Sequence, residues 1–200
     1  MLKAERQEPK RVQALREAAA DMFLENGYDA LSIEALIERV GGSRRNVYAH
    51  FGGKEQLFIE AVEHRCLALS KPLPDLKFEE APEISLKKFG SALIDIVLAP
   101  ETLALHRLMI AEGQRFPALA EKIWRSGPDI SRQMLAKWMR HQQEAGALRV
   151  DGDPARMASQ FISLATYALQ LRALIGIAAS KRERSNVLEE SVVTFLRGWG

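Results

Sequence analysis

The sequence predicts an all-α chain of about nine helices. Three observations carry the prediction. Apolar residues recur at helical spacing along most of the chain, no segment alternates with period two over a useful length, and proline or glycine stands where most apolar stripes stop. With 200 residues, 47% of them apolar, the chain can bury a substantial core as one domain or two small ones. There is no internal repeat and no low-complexity tract. The formal net charge of +2 gives no argument for nucleic acid by itself, so the local distribution of charge has to decide that question. A single cysteine, Cys66, excludes an internal disulfide and anchors no zinc pattern, and neither a metal nor a cofactor is expected. The opening MLKAERQEPKR is polar where a secretory signal is apolar, and no uncharged apolar run is long enough to span a bilayer. The expectation is a cytoplasmic protein without a membrane partner.

Taken in order, residues 1 to 8 carry mixed charge without periodicity and are expected to form a mobile arm. From Pro9, the stripe Val12, Leu15, Ala19, Met22, Phe23 marks a first helix that Gly27 ends. Tyr28 and Leu31 lead to Ser32, which can cap a second helix bearing Ile33, Leu36, Ile37 and Val40, with Glu34 near its positive end. Gly41 stops that helix, because glycine enters the left-handed conformation of a helix C-terminus without steric penalty. Ser43 can cap a third helix that runs to Phe51. Two short helices joined by a tight turn are a helix-turn-helix. Between Glu38 and Glu55 no acidic side chain occurs, while Arg39, Arg44, Arg45 and Lys54 are positive and His50 can add to them. Arginine and asparagine at the start of a protruding helix can make bidentate hydrogen bonds to guanine and adenine edges in the major groove, so double-stranded DNA is the expected partner.

Gly52-Gly53 breaks the third helix, and a fourth begins near Lys54 with Leu57, Phe58, Ala61, Val62 and Leu69, ending about Ser70. The proline-bearing stretch from Lys71 to Ala81 is the expected boundary between a small N-terminal and a larger C-terminal domain. The division reads 1–53 for the helix-turn-helix domain, 54–70 for a connecting helix, and 71–200 for the C-terminal domain. Beyond the boundary, Pro82 opens a helix with Leu86, Phe89, Leu93, Ile96 and Val97. Another is expected from Glu101 to about Gln114 with Leu105, Leu108 and Met109 inward. Pro117 to Ser126 is a shorter helix interrupted at Gly127-Pro128, followed by Asp129 to about Ala145 with Ile130, Met134, Trp138 and Met139. Asp153-Pro154 is an acidic cap followed by proline at the first helical position. The helix after it, to about Ile175, is apolar on more than one side: Phe161, Ile162, Leu164, Ala165, Ala168, Leu169, Leu171, Leu174 and Ile175. The last helix, from about Ser185 to Trp199, shows Val187, Leu188, Val192, Phe195 and Leu196.

From about Lys10 to Leu57 the chain resembles the DNA-binding domain of TetR-type transcriptional regulators. The resemblance rests on the ordered set Phe23, Gly27, Gly41, Ser43, Tyr48, Phe51, Lys54 and Leu57, including Tyr48-Ala49-His50-Phe51 and Lys54-Glu55-Gln56-Leu57-Phe58. Arg107-Leu108-Met109-Ile110-Ala111-Glu112 and Arg115-Phe116-Pro117 look like the AefR-like branch of the C-terminal domains. The resemblance implies an all-α homodimer whose C-terminal domain binds a ligand. It also implies that the last two long helices, about 154–175 and 185–199, pair with those of a second subunit in a four-helix bundle. The surplus apolar surface after Phe161 agrees with that. Two departures from the family pattern are Gly42, where a small apolar residue is usual, and Gly53, where a capping serine often stands.

The resemblance implies a ligand-responsive DNA-binding regulator, a repressor, in which effector shifts the spacing of two reading helices through the helix from Lys54 to Ser70. Arg44, Arg45 and Asn46 are then candidates for base and phosphate contact, and Tyr48 and Lys54 for phosphate clamps. His50 is a candidate backbone contact or a bystander. Ser32 and Ser43 are capping residues at the DNA face, and Ser32 can also face a phosphate. A twofold pair must read a roughly palindromic operator. For a small-molecule effector the candidate lining is Met109, Phe116, Trp124, Met134, Trp138, Phe161 and Tyr167, with core packing as the competing reading of most. His106, Glu112, His141 and Gln170 are polar groups that can orient a ligand, but nothing in the sequence ties any of them to a pocket.

An enzyme is the competing class. Cys66 and His64 lie two residues apart and so on different faces of one helix, and Glu79-Glu80 and Glu189-Glu190 are adjacent and solvated in pattern, so no catalytic constellation emerges and no enzyme is expected. A helical interaction protein that has kept the fold and lost DNA binding is the third reading, supported by the glycines at 42 and 53.

Overall fold

The computed structural model describes residues 10–69, 78 and 81–200. The arm expected over 1 to 8, Pro9, the Ser70 end of the connecting helix, Glu79-Glu80 and most of the boundary stretch from Lys71 lie outside the described residues. Among those described there is no strand. The helices are α1 Lys10–Ala30, α2 Ile33–Val40, α3 Arg44–Phe51, α4 Lys54–Leu69, α5 Pro82–Val97, α6 Pro100–Glu112, α7 Pro117–Ser126, α8 Pro128–Glu144, α9 Pro154–Leu174 and α10 Lys181–Trp199. Ten helices are thus present among the described residues; only Gly127 separates α7 from α8, and with those two taken as one interrupted helix the described total is nine.

The breaks follow local chemistry. Gly27 has a non-helical backbone (φ 82°, ψ 176°), which turns Tyr28, Asp29 and Ala30 off the axis of the preceding helix. Prolines occupy the first turn of α5, α6, α7, α8 and α9, where their missing N–H costs nothing. The last helix begins at Lys181 rather than near Ser185, because the Ser180 Oγ accepts from the Glu183 N–H at 3.2 Å. Serine followed three residues later by glutamate was the available signal.

Two main cores result. The first gathers Leu15, Phe23, Tyr28, Leu36, Val47, Leu57, Phe58 and Val62 from α1 to α4, and continues without a break into Leu105, Leu108, Phe116 and Leu119 of the α6–α7 region. At its centre the Phe58 ring lies 4.9 Å from Phe23, 4.9 Å from Tyr28 and 4.7 Å from Phe116. Such pairs add about 0.5–1.5 kcal/mol each beyond area burial. The second joins Leu86 and Phe89 of α5, Leu135 and Met139 of α8, Met157 and Phe161 of α9 and Phe195 of α10. Ion pairs tie the elements outside these cores: Arg65 of α4 reaches Asp21 of α1 and Glu101 of α6, and Arg172 of α9 reaches Glu183 of α10.

Helix α9 explains its own surplus of apolar residues. Phe161, Ala165 and Leu169 face the core, while Leu164, Tyr167, Leu171 and Ile175 form a second, exposed stripe. With α10 it borders an open groove of about 610 Å³ lined by Gln160, Leu164, Tyr167, Phe195 and Trp199 among others.

Candidate nucleic-acid interface

The helix-turn-helix consists of α2 and α3. Ser32 caps α2, its Oγ accepting from Ala35 N–H at 3.0 Å, and Ser43 caps α3, its Oγ accepting from Asn46 N–H at 3.3 Å. The turn between them needs its glycines. Gly41 has φ 73° and Gly42 φ 129°, a region that side chains rarely enter, and the Arg11 guanidinium lies beside both at 3.8 Å from where a Cβ would sit. The departure at position 42 therefore matches the backbone, and α3 forms as a capped helix. This removes the loosened turn as an argument for the interaction-protein reading.

Only Val47 and Phe51 of α3 are buried, and they hold the helix on the first core. Arg44, Arg45, Asn46, Tyr48, Ala49 and His50 are all exposed, Tyr48 with 48% of its surface free. Arg44, Arg45 and Asn46 form the first turn, where backbone N–H groups not used within the helix also point outward. The tertiary structure adds what the linear charge pattern missed. Arg44 Nε meets Glu34 at 2.9 Å and Arg39 meets Glu25 at 3.3 Å, so acidic side chains from outside the 38–55 window do reach this surface. Both pairs are exposed and worth about 0–1 kcal/mol, little enough for a phosphate to displace the carboxylate.

Lys54, at the first position of α4, is half-buried rather than free. Its Nζ donates to the Asp29 carbonyl at 3.2 Å and stands 4.4 Å from the Tyr28 ring centroid. Tyr28, a buried residue, has its hydroxyl pushed above the ordinary pKa by desolvation, with the Arg115 charge acting in the opposite sense. Arg115 itself is held further towards its charged form by the hydrogen bond to Asp29. Sequence reasoning missed Arg11, Tyr28, Asp29 and Arg115 as parts of this surface, because the contacts bridge residues far apart in the chain.

The seven bulky residues considered as effector lining do not meet in one place. Phe116 belongs to the first core and Met109 packs on it; Trp138, Phe161 and Met134 belong to or pack on the second; Trp124 is exposed; and Tyr167 lies on the outer stripe of α9. Trp138 stacks on Phe78 with centroids 5.3 Å apart, and its buried indole N–H meets no acceptor among the described residues. Of the four polar candidates, His106 and Gln170 meet: His106 Nδ1 lies 2.8 Å from the Thr102 carbonyl, and its Nε2 lies 3.4 Å from Gln170 Nε2. His106 as a donor to Thr102 leaves Nε2 to accept from Gln170. Glu112 is only half-buried, and His141 lies on the surface beside Glu144. Among the described residues no three His, Cys, Asp or Glu side chains gather to hold a metal ion, and no helix is long and apolar enough to cross a membrane.

Comparison with known proteins agrees with this architecture. The HTH-type transcriptional regulator UidR of Escherichia coli K12 is 26% identical over 195 residues, covering 84% of this chain and 92% of UidR. The HTH-type transcriptional repressor AcnR of Corynebacterium efficiens is 28% identical over 156 residues, 72% of this chain and 68% of AcnR. The solved structure of the Flavonoid-responsive Regulator FrrA superposes with a TM-score of 0.80 at 28% identity, covering 95% of this chain and 97% of FrrA. A putative TetR-family transcriptional regulator from Mesorhizobium loti gives 0.77 at 26%, with 96% and 97% covered. Residues 15–61 match the family described as bacterial regulatory proteins, tetR family, and residues 85–200, more than half the chain, match the AefR-like transcriptional repressor C-terminal domain. The chain thus belongs to the tetR family of bacterial regulatory proteins, with a C-terminal domain of the AefR-like kind.

Proposed function

We propose that this chain is a ligand-responsive repressor of transcription, acting in the cytoplasm as a homodimer on a palindromic operator. The observation that carries the reading is α3: a capped helix, anchored by only two buried side chains, that presents Arg44, Arg45 and Asn46 at its exposed N-terminal end. In this reading those three supply base and phosphate contacts, and Tyr48, Lys54 and His50 bind the backbone together with the Ser32 and Ser43 ends of their helices. The domain division at 53 and 70 stands within the same proposal. The outer stripe of α9 and the groove beside α10 are the surface a second subunit covers. Twofold pairing sets the two α3 helices to enter grooves about 34 Å apart, one turn of the duplex. A small molecule that favours another spacing releases the operator. Aromatic effectors are the class to screen first, since FrrA is described as flavonoid-responsive.

The test is selection from a pool of randomised duplexes by the full-length protein. A palindromic motif is expected, bound with an affinity that falls with salt at a log–log slope of about −0.9 per neutralised phosphate. Arg44→Ala and Tyr48→Ala should each weaken binding of the selected duplex severely. Absence of enrichment, or parental binding by both variants, overturns the reading.

A further inference from the structure

The N-terminal and C-terminal helices meet at a cluster of charge around Tyr28. Arg115 follows α6 in the corner that leads to α7. Its Nη1 donates to Asp29 Oδ1 at 2.9 Å, and its guanidinium carbon stands 4.3 Å from the Tyr28 ring centroid and 5.4 Å from that of Phe116. Lys54 uses the backbone of the same residue, the Asp29 carbonyl, and the same Tyr28 ring. Tyr28-Asp29 therefore holds two cations from distant parts of the chain, one through a carboxylate, one through a carbonyl, both over one aromatic ring. The Asp29 carboxylate offsets their mutual repulsion.

We propose that Arg115 is a positioning residue for Lys54, so that the α6–α7 corner sets where the Lys54 ammonium stands when DNA arrives. The proposal rests on the reading of Lys54 as a phosphate contact. A lysine free in solvent samples many rotamers, and binding must then order it; holding the side chain beforehand removes that cost. The corner is itself firmly held. Phe116 packs 5.0 Å from Tyr28 and 4.7 Å from Phe58 by ring centroid. At the other side of α6, Arg107 donates to the Ala173 and Leu174 carbonyls at 2.9 Å each, and His106 meets Gln170, both on α9. Helix α6 and the corner after it thus link the end of α9 to the dipeptide that holds Lys54. A displacement of α6 acts on the DNA surface at Asp29, independently of any tilt of α4.

The test compares Arg115→Ala, Arg115→Lys and Lys54→Ala in the full-length protein. Without DNA, NMR of lysine-labelled protein reads the ε-protons of Lys54, which the Tyr28 ring current shifts. Arg115→Ala should move that signal towards the free-lysine position and Arg115→Lys should restore part of it. With the selected duplex, Arg115→Ala should lose affinity by about five- to tenfold, at the low end of known couplings between distant sites. Its salt slope should stay parental, because Arg115 binds no phosphate, whereas Lys54→Ala should reduce the slope by about 0.9. If Lys54→Ala keeps the parental slope, the phosphate reading has failed and the proposal falls with it. If that slope drops while Arg115→Ala leaves either the Lys54 signal or the affinity unchanged, the positioning role alone is overturned.

Discussion

Truncating the outer stripe of α9 should dissociate the proposed dimer by an amount that follows from exposure. In the single subunit Leu164 is 44% and Leu171 47% exposed, and Tyr167 and Ile175 beside them are 66% and 69% exposed. Burying a whole leucine side chain is worth about 1.5–3 kcal/mol, so covering the free half of Leu171 contributes about 0.7–1.4 kcal/mol. In a twofold interface each substitution occurs twice, so Leu171→Ala should cost the dimer about 1.4–2.8 kcal/mol. At 1.4 kcal/mol per decade that raises the dissociation constant roughly 10- to 100-fold. Leu164→Ala with Leu171→Ala should roughly double the energy, to a rise of about 100- to 10,000-fold. Sedimentation velocity over a dilution series measures the shift, and a thermal melt followed by circular dichroism confirms that the subunit remains folded. A double variant that dissociates over the same concentrations as the parent would show that this stripe is not the contact between subunits, and the geometry for reading a palindrome would lose its basis.

Three further outcomes are expected. Ser43→Ala removes the cap of α3 and should cost about 0.5–2 kcal/mol in urea unfolding, with weaker binding of the selected duplex; an unchanged midpoint would mean that the cap contributes nothing. Gly152→Ala places a Cβ 2.6 Å from the Trp199 ring and 2.7 Å from Met157 Sδ, an overpacking that should cost about 1–3 kcal/mol and shift the tryptophan emission; a parental melting temperature would refute the close approach. The hydrogen bond from Arg132 holds the Asp129 carboxyl below its ordinary value of 3.8. A lowered folded-state pKa stabilises above the unfolded value and is lost as pH falls through the folded one. The stability difference between parent and Asp129→Asn should therefore be full at neutral pH, begin to shrink only below 3.8 and vanish once the pH is below the lowered folded-state value; a difference that persists in still stronger acid assigns the effect to something other than ionisation.

The helices were legible because their signals are local. A proline at the first turn, a serine or aspartate cap and a 3.6-residue stripe act within four residues of one another, and α5 to α9 begin within a residue of where those signals place them. Helix α10 shows the limit: the capping pair Ser180 and Glu183 precedes the apolar stripe, so a reading led by the stripe starts too late. The surplus on α9 was legible as a count, and the direction of each side chain was not. Burial of Phe161, Ala165 and Leu169 leaves Leu164, Tyr167, Leu171 and Ile175 outside only because α5, α8 and α10 cover one side of the helix.

By itself, then, the sequence determined the all-α class, the order of the helices, the capped turn at Gly41 to Ser43 and the exposed polar composition of α3, since each depends on the chemistry of neighbours along the chain. Tertiary structure alone decided which charges on that surface are already paired. Glu34 turns back on Arg44, and Asp29 gathers Arg115 and Lys54 from 86 and 25 residues away. It also dispersed the bulky residues that the sequence offers as one pocket lining, sending Phe116 and Phe161 to separate cores. The physical reason is that burial and ion pairing depend on distances in space, which the packing of whole helices sets, whereas propensity and capping act over one turn.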